Sequence, residues 1–202
     1  MPAATDRDRT LKLARRRQGV TTRDLAEAGI HTQVLSRLVA AGEIERIARG
    51  MYRLPDHAVT EHHGLAIAAA AVPNAVVCLL SALQFHRIGT QLPSDVWMAI
   101  DRRARRPAVR YPPLRIVRYT GAALTEGIER HRIEGRELRV YGVAKTLADC
   151  FKYRNKIGLD VALEALREAW RARRFTMDEL DRYAAVCRVQ RVMQPYIEAL
   201  TA

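Results

Sequence analysis

The segment from Val20 to Pro55, VTTRDLAEAGIHTQVLSRLVAAGEIERIARGMYRLP, constrains the chain more than any other. Thr21 and Asp24 stand in the T-x-x-D spacing of a capping box, so a helix is expected to start there. Leu25 and Ala26 are expected to face inward, and Gly29 to end the helix in the left-handed conformation that a residue without Cβ adopts cheaply. A second helix should begin at His31 or Thr32. Val34, Leu35, Leu38 and Val39 recur on one helical face and should be its inner side. Thr32, Gln33, Ser36, Arg37 and Ala40 then fall outside, and Gly42 stops the helix. Two short strands, Glu45–Ala48 and Met51–Leu54, flank Arg49-Gly50, where Gly50 supplies the positive φ of a tight hairpin. The hairpin carries Arg46, Arg49 and Arg53. Two short helices followed by a basic hairpin make the pattern of a winged helix-turn-helix. Short or hydrogen-bonding side chains at 32, 33, 36 and 37 suit base edges in a major groove, and arginines on a wing suit phosphate. A small helical unit that binds nothing has much the same pattern.

Upstream, residues 5–17 are expected to form a further helix of this unit. Leu11, Leu13 and Ala14 would be inside and Arg15, Arg16 and Arg17 at its end, where cations also suit the helix dipole. The unit would occupy residues 1–56 and leave 57–202 for a second domain of ordinary size. Hydrophobic residues make up 49% of the 202, enough for a core there. Residues 55–60, PDHAVT, read as the hinge.

Beyond it, Thr60 would cap a helix through Ala71, and a second helix would cover about Val77 to Arg87. From Asp95 the pattern turns extended: Asp95–Ile100, Leu114–Thr120, Gly127–Ile133 and Glu137–Tyr141 read as strands. Helices return at Ala144–Arg154, Leu159–Arg173, after the capping box Thr176–Glu179, and at Val189–Leu200. The fold class is thus α+β. A winged helix-turn-helix precedes a mixed C-terminal domain with a small β-sheet within about residues 95–141 and helices at about 60–87 and 144–201.

The formal charge of +12 is unevenly placed: +5 over residues 1–55, −2 over 56–100, +6 over 101–140 and +3 over 141–202. Two basic blocks point to a nucleic-acid partner, although a general excess of arginine produces the same balance. The second block contains Arg102, Arg103, Arg105, Arg106, Arg115 and Arg118. With outward Arg130, Arg132 and Arg139 it could give the sheet one basic face. The alternative is a solvated face of mixed charge.

Cys78, Cys150 and Cys187 are far apart and odd in number, which argues against a disulfide framework or a zinc ribbon and for buried thiols. The N-terminus lacks a signal-peptide core and no apolar run is long enough to span a bilayer, so a cytoplasmic protein without membrane contact is expected. His62 and His63 project about 100° apart on a helix and make a poor metal pair. No Gly-rich phosphate loop, H-E-x-x-H or G-x-S-x-G occurs. No catalytic residue, metal or cofactor is therefore assigned. The nearest enzymatic reading is a metal-dependent nuclease using Asp95, Asp101 and Glu137, but Arg139 stands where a basic lysine would help. Lys145 and Asp149, at i, i+4, are equally well a surface ion pair. A regulator whose second domain senses a small ligand also remains open.

Two stretches carry a resemblance to a known family. The first is GEIERIARGMYRLP, with its G-x-Y wing end. The second is YGVAKTLADCFKYRNKIGLDVALEALREAW, where a K-T-x-x-D helix, a break with glycine and a D-x-x-x-E-A-L helix follow each other. In this order and at this length they resemble the AbiEi antitoxins of type IV toxin–antitoxin (abortive infection) systems, over most of residues 18–172. The resemblance implies a winged helix that binds inverted repeats in its own promoter and represses the operon, commonly with cooperativity or homodimeric contact between protomers. It also implies a C-terminal domain that counteracts a nucleotidyltransferase-type toxin without a stable complex. DNA contacts carry over to Thr32, Gln33, Ser36, Arg37, Arg46 and Arg49, with Arg53 on the same wing. The block from Arg102 to Arg118 becomes a second DNA contact or a contact between protomers.

Overall fold

The computed structural model describes residues 5–17, 19–56 and 60–201. His57 and most of the expected hinge lie outside these residues. The N-terminal unit runs α1 (Asp6–Arg17), β1 (Val20–Thr21), α2 (Thr22–Glu27), α3 (Gln33–Ala40), β2 (Glu45–Ala48) and β3 (Met51–Arg53). β1 and β2 pair antiparallel with the central β3, which gives the element order expected of a winged helix-turn-helix. The Thr21–Asp24 capping box is formed in both directions. Its core is Leu11, Ala14, Val20, Leu25, Ile30, Leu35, Leu38 and Ile44.

Two positions differ from the helical pattern. Ala26 is exposed, and the buried partner of Leu25 is the capping residue Asp24. Val39 is also exposed, while Leu35 and Leu38 are buried and Val34 packs partly against the core.

After α4 (His63–Ala71) come β4 (Val76–Val77), α5 (Leu79–His86), β5 (Val96–Asp101), β6 (Leu114–Tyr119), the short α6 (Ala122–Thr125), β7 (Ile128–Ile133) and β8 (Arg136–Tyr141). Five strands form one mixed sheet in the order β6-β5-β4-β8-β7. β4, whose second residue Val77 reads from sequence as the start of a helix, is its central strand: it pairs antiparallel with β5 and parallel with β8. Thr60 does not cap α4, which starts at His63; its hydroxyl turns to Glu134.

The sheet separates two cores. Met98, Ile100, Leu138 and Val140 pack with Leu65, Ala68 and Ala69 of α4. Ala99, Val117, Tyr119 and Tyr141 meet the helical end of the chain: α7 (Val143–Lys152), the short α8 (Arg154–Ile157), α9 (Leu159–Arg171), α10 (Met177–Cys187) and α11 (Gln190–Thr201). Gly158 breaks α8 from α9, and Thr176 and Glu179 form the second capping box. All three cysteines are buried and unbonded.

α7 lies at the centre of this helical layer, with Val143 through Phe151 all buried. Lys145 and Asp149 do pair, Nζ to Oδ2 at 2.6 Å, but both side chains are 0% exposed. The expected surface pair is an interior one. The Lys145 ammonium lies 4.0 Å from the Tyr141 ring centre and 4.9 Å from that of Tyr119, and the Cys187 thiol donates to Asp149 Oδ1 at 3.1 Å. Burial pushes the Asp149 carboxyl above its ordinary range, against the pull of Lys145, and raises the Cys187 thiol to about 12.

Candidate nucleic-acid interface

α3 presents Thr32, Gln33, Ser36, Arg37 and Ala40 to solvent. Its first turn is closed by His31, whose Nδ1 accepts from the Gln33 amide at 3.2 Å, while Thr32 makes no side-chain cap. The Thr32 hydroxyl is therefore not used up in starting the helix. Arg37 is exposed and makes no ion pair among the described residues. Gln33 and Arg37 border a groove of about 480 Å³ shared with Asp6, Arg7 and Glu43. There Arg7 bonds Glu43 at 3.0 and 2.5 Å, which neutralises one of the two acids in the groove.

The hairpin turns at Arg49-Gly50, where Gly50 has φ +73°. Its carbonyl accepts from the Thr22 amide at 3.0 Å, so the tip of the hairpin is tied to the first turn of α2. Arg49 is exposed with no ion-pair partner among the described residues, and Arg46 is exposed beside it. Arg53, counted on the same wing, is different: it is half-buried and turned back onto Glu45 across the hairpin. The pairing closes the β2–β3 ladder, because Glu45 and Arg53 are register partners.

The second basic block does not form one face. Side chains alternate along a strand, so Arg115 and Arg118 on β6 point to opposite sides of the sheet. Arg115 pairs with Asp95 at 3.3 Å and lies 5.0 Å over the Trp97 ring. Arg118 donates to the carbonyls of Asp101, Arg102 and Ala104, closing the turn after β5. Arg102, Arg103, Arg105 and Arg106 are exposed on the connection between β5 and β6. Farther along, the connection passes the hairpin. Arg23, Arg46, Arg49 and Arg110 line one cleft of about 740 Å³ with Thr21, Thr22 and Tyr111, and no acidic residue lines it. Sequence reasoning missed Arg110 because its neighbour in space is some sixty residues earlier in the chain. On β7 and β8, Arg130 pairs with Glu137 at 2.6 Å and Arg139 is half-buried beside the Asn74 carbonyl.

The acidic residues considered for a nuclease are scattered. Asp95 precedes β5 and Asp101 ends it, about 20 Å apart at the rise of an extended strand. Glu137 is committed to Arg130. Among the described residues no group of three His, Cys, Asp or Glu side chains is placed to share a metal ion. The His62 ring lies tilted against Phe85, and His63 pairs with Glu134. No described helix is long and apolar enough to cross a membrane.

The crystal structure of the Rv2827c protein from Mycobacterium tuberculosis is similar in fold over nearly the whole chain. The TM-score is 0.60 at 17% identity, with 91% of this chain and 72% of that one covered. No curated protein matches the chain. Residues 8–55 match the family model of a transcriptional regulator, the AbiEi antitoxin. The match spans α1 through the hairpin and leaves out the second stretch of resemblance, residues 141–170. Over residues 8–55, from α1 to β3, the chain is similar to the AbiEi antitoxin-type transcriptional regulators.

Proposed function

We propose that the protein is a DNA-binding antitoxin that represses its own operon and counteracts a nucleotidyltransferase-type toxin encoded beside it. The observation that carries the reading is the exposure of two arginines, Arg37 on α3 and Arg49 on the hairpin. Neither has an ion-pair partner among the described residues, and both belong to the unit that matches the antitoxin regulators. An arginine left without a partner has no ion pair to break when it turns toward a phosphate or a guanine edge. In this reading residues 1–56 are the DNA-binding domain and 57–202 the antitoxin domain. α3 enters the major groove with Thr32, Gln33, Ser36 and Arg37, and the hairpin lays Arg46 and Arg49 on the backbone. Arg53 supports the hairpin from within. The acid-free cleft adds Arg110 to the backbone contacts, which brings the β5–β6 connection to the same side as the wing. Arg102 to Arg106 extend that surface.

The site is read as two inverted repeats bound by two protomers, in the cytoplasm and without a cofactor. The toxin is countered without a stable complex, as in type IV systems of abortive infection. A gel-shift titration tests the DNA half. The probe is the DNA upstream of the gene, with random competitor. Specific binding that weakens with Gln33→Ala and Arg37→Ala supports the reading. Binding without sequence preference removes it. Co-expression with the neighbouring toxin, scored by growth, tests the other half.

A further inference from the structure

The turn between β7 and β8 reaches from the five-stranded sheet into the N-terminal unit, and three consecutive residues act there. Glu134, 8% exposed, accepts from the Thr60 amide at 3.2 Å and its hydroxyl at 2.7 Å, and lies 2.8 Å from His63 Nδ1. Burial opposes the charge on Glu134, but these bonds outweigh it and hold its pKa below the ordinary value. Gly135, at φ +69°, lies so close to the end of α1 that a Cβ would stand 2.6 Å from the Arg17 Cα. Arg136 donates through Nη2 to Asp24 Oδ2 at 3.0 Å and to the Gly19 carbonyl at 3.2 Å.

Asp24 is the residue that closes the first turn of α2. Its Oδ2 also accepts from the Thr21 amide at 2.7 Å, and its Oδ1 pairs with Arg17. Burial disfavours its charge, yet Arg136 and the Thr21 bonds keep its pKa below the usual carboxylate value. One buried carboxylate therefore joins α1, the α2 cap and a turn 112 residues away. The amide next to the cap, that of Thr22, holds the hairpin tip through Gly50.

We infer that Arg136 is a positioning residue for DNA reading. It fixes the start of α2, and with it α3 and the hairpin, in one orientation on the five-stranded sheet. Arg136 itself is far from free to touch phosphate: its side chain is 15% exposed and engaged on both partners. The C-terminal part of the chain then sets how the reading unit meets its site without contacting a base. This rests on the DNA-binding reading above.

The test compares full-length Arg136→Ala and Arg136→Lys with the native chain, on the upstream DNA and on random DNA, over a salt series. The expected result is about a tenfold loss on the upstream DNA for Arg136→Ala, the size of an ordinary coupling between sites. Random DNA and the salt slope should stay unchanged, and Arg136→Lys should recover most of the loss. An equal loss on both DNAs with the slope reduced by about one makes Arg136 a phosphate contact and overturns the inference. So does no change on either. If Arg136→Ala does not fold, Arg136→Gln is read the same way. Hydrogen exchange in the free protein separates the two readings. Faster exchange of the Thr21–Asp24 amides in Arg136→Ala supports the clasp even if no DNA is read specifically, and unchanged exchange overturns it whatever the DNA result.

Discussion

The core around α7 and the outer face of α3 use the same kinds of side chain to opposite ends. In α7 a lysine and an aspartate one turn apart are sealed from water by Tyr119, Tyr141 and α10. On α3 and the hairpin, Arg37 and Arg49 stand in water with no ion-pair partner among the described residues. Burial decides what each cation is for. An enclosed ion pair is held by geometry, and removing one member strands the other. An exposed, unpaired arginine contributes little to the fold and is available to a ligand. Charge counted along the sequence cannot separate these cases, and the block from Arg102 to Arg118 shows a third. There Arg118 is exposed yet already occupied by three carbonyls.

The largest expected effect lies inside. Lys145→Met leaves the Asp149 carboxylate buried without its cation and should lower stability by about 3–5 kcal/mol at neutral pH, read from the denaturant midpoint. Adding Asp149→Leu should restore most of it, because the desolvated pair is replaced by apolar volume. The single variant's penalty should shrink as pH falls toward about 4, the unfolded carboxylate value. The sign follows from the raised pKa of Asp149. A buried carboxyl that holds its proton better in the folded state favours folding as pH falls and opposes it as pH rises. A pH-independent penalty would mean that Asp149 stays charged in the variant.

The outer face should behave in the opposite way. Arg37→Ala should leave the melting temperature unchanged and weaken specific DNA binding by about 1–3 kcal/mol, with relaxed preference at one base position. A smaller effect is expected at the hairpin. Arg49→Ala should weaken binding to all sequences alike and reduce the salt slope by about one. Arg118→Ala should do least, with DNA affinity and salt slope both close to native, because its guanidinium already serves the turn after β5. A fall in slope as large as that of Arg49→Ala would erase the distinction between free and occupied arginines.

Much of the N-terminal unit was legible because its signals are local. Thr21 with Asp24, Gly29, Gly42 and the Arg49-Gly50 turn all act within a few residues, and the helices and hairpin fall where those residues put them. The strands after Asp95 were legible for the same reason. β4 was not. Val76 and Val77 are two apolar residues before a helix, and only their pairing with Met98, Ala99 and Val140 makes them a strand. The spacing of Lys145 and Asp149 predicts their contact, but their burial depends on α10 and two distant tyrosines. The role of Asp24 is half legible in the same sense: its cap is written in Thr21, and its partner Arg136 is written nowhere near it. For the interface, sequence spacing marked Gln33, Ser36 and Arg37 as outward, whereas the engagement of Arg53 and the nearness of Arg110 to the hairpin are products of the assembled fold.

The placement of the cysteines makes the protein its own reporter. All three thiols lie beyond residue 77 and are shut away from solvent in the folded chain, and the N-terminal unit has none. A water-soluble alkylating reagent should therefore be refused until the layer around α7 opens. Its rate of uptake would time that opening alone and ignore any loosening of the reading unit. Because Cys78 directly precedes α5, Cys150 sits in α7 and Cys187 ends α10, the order in which they label would show which helix leaves first.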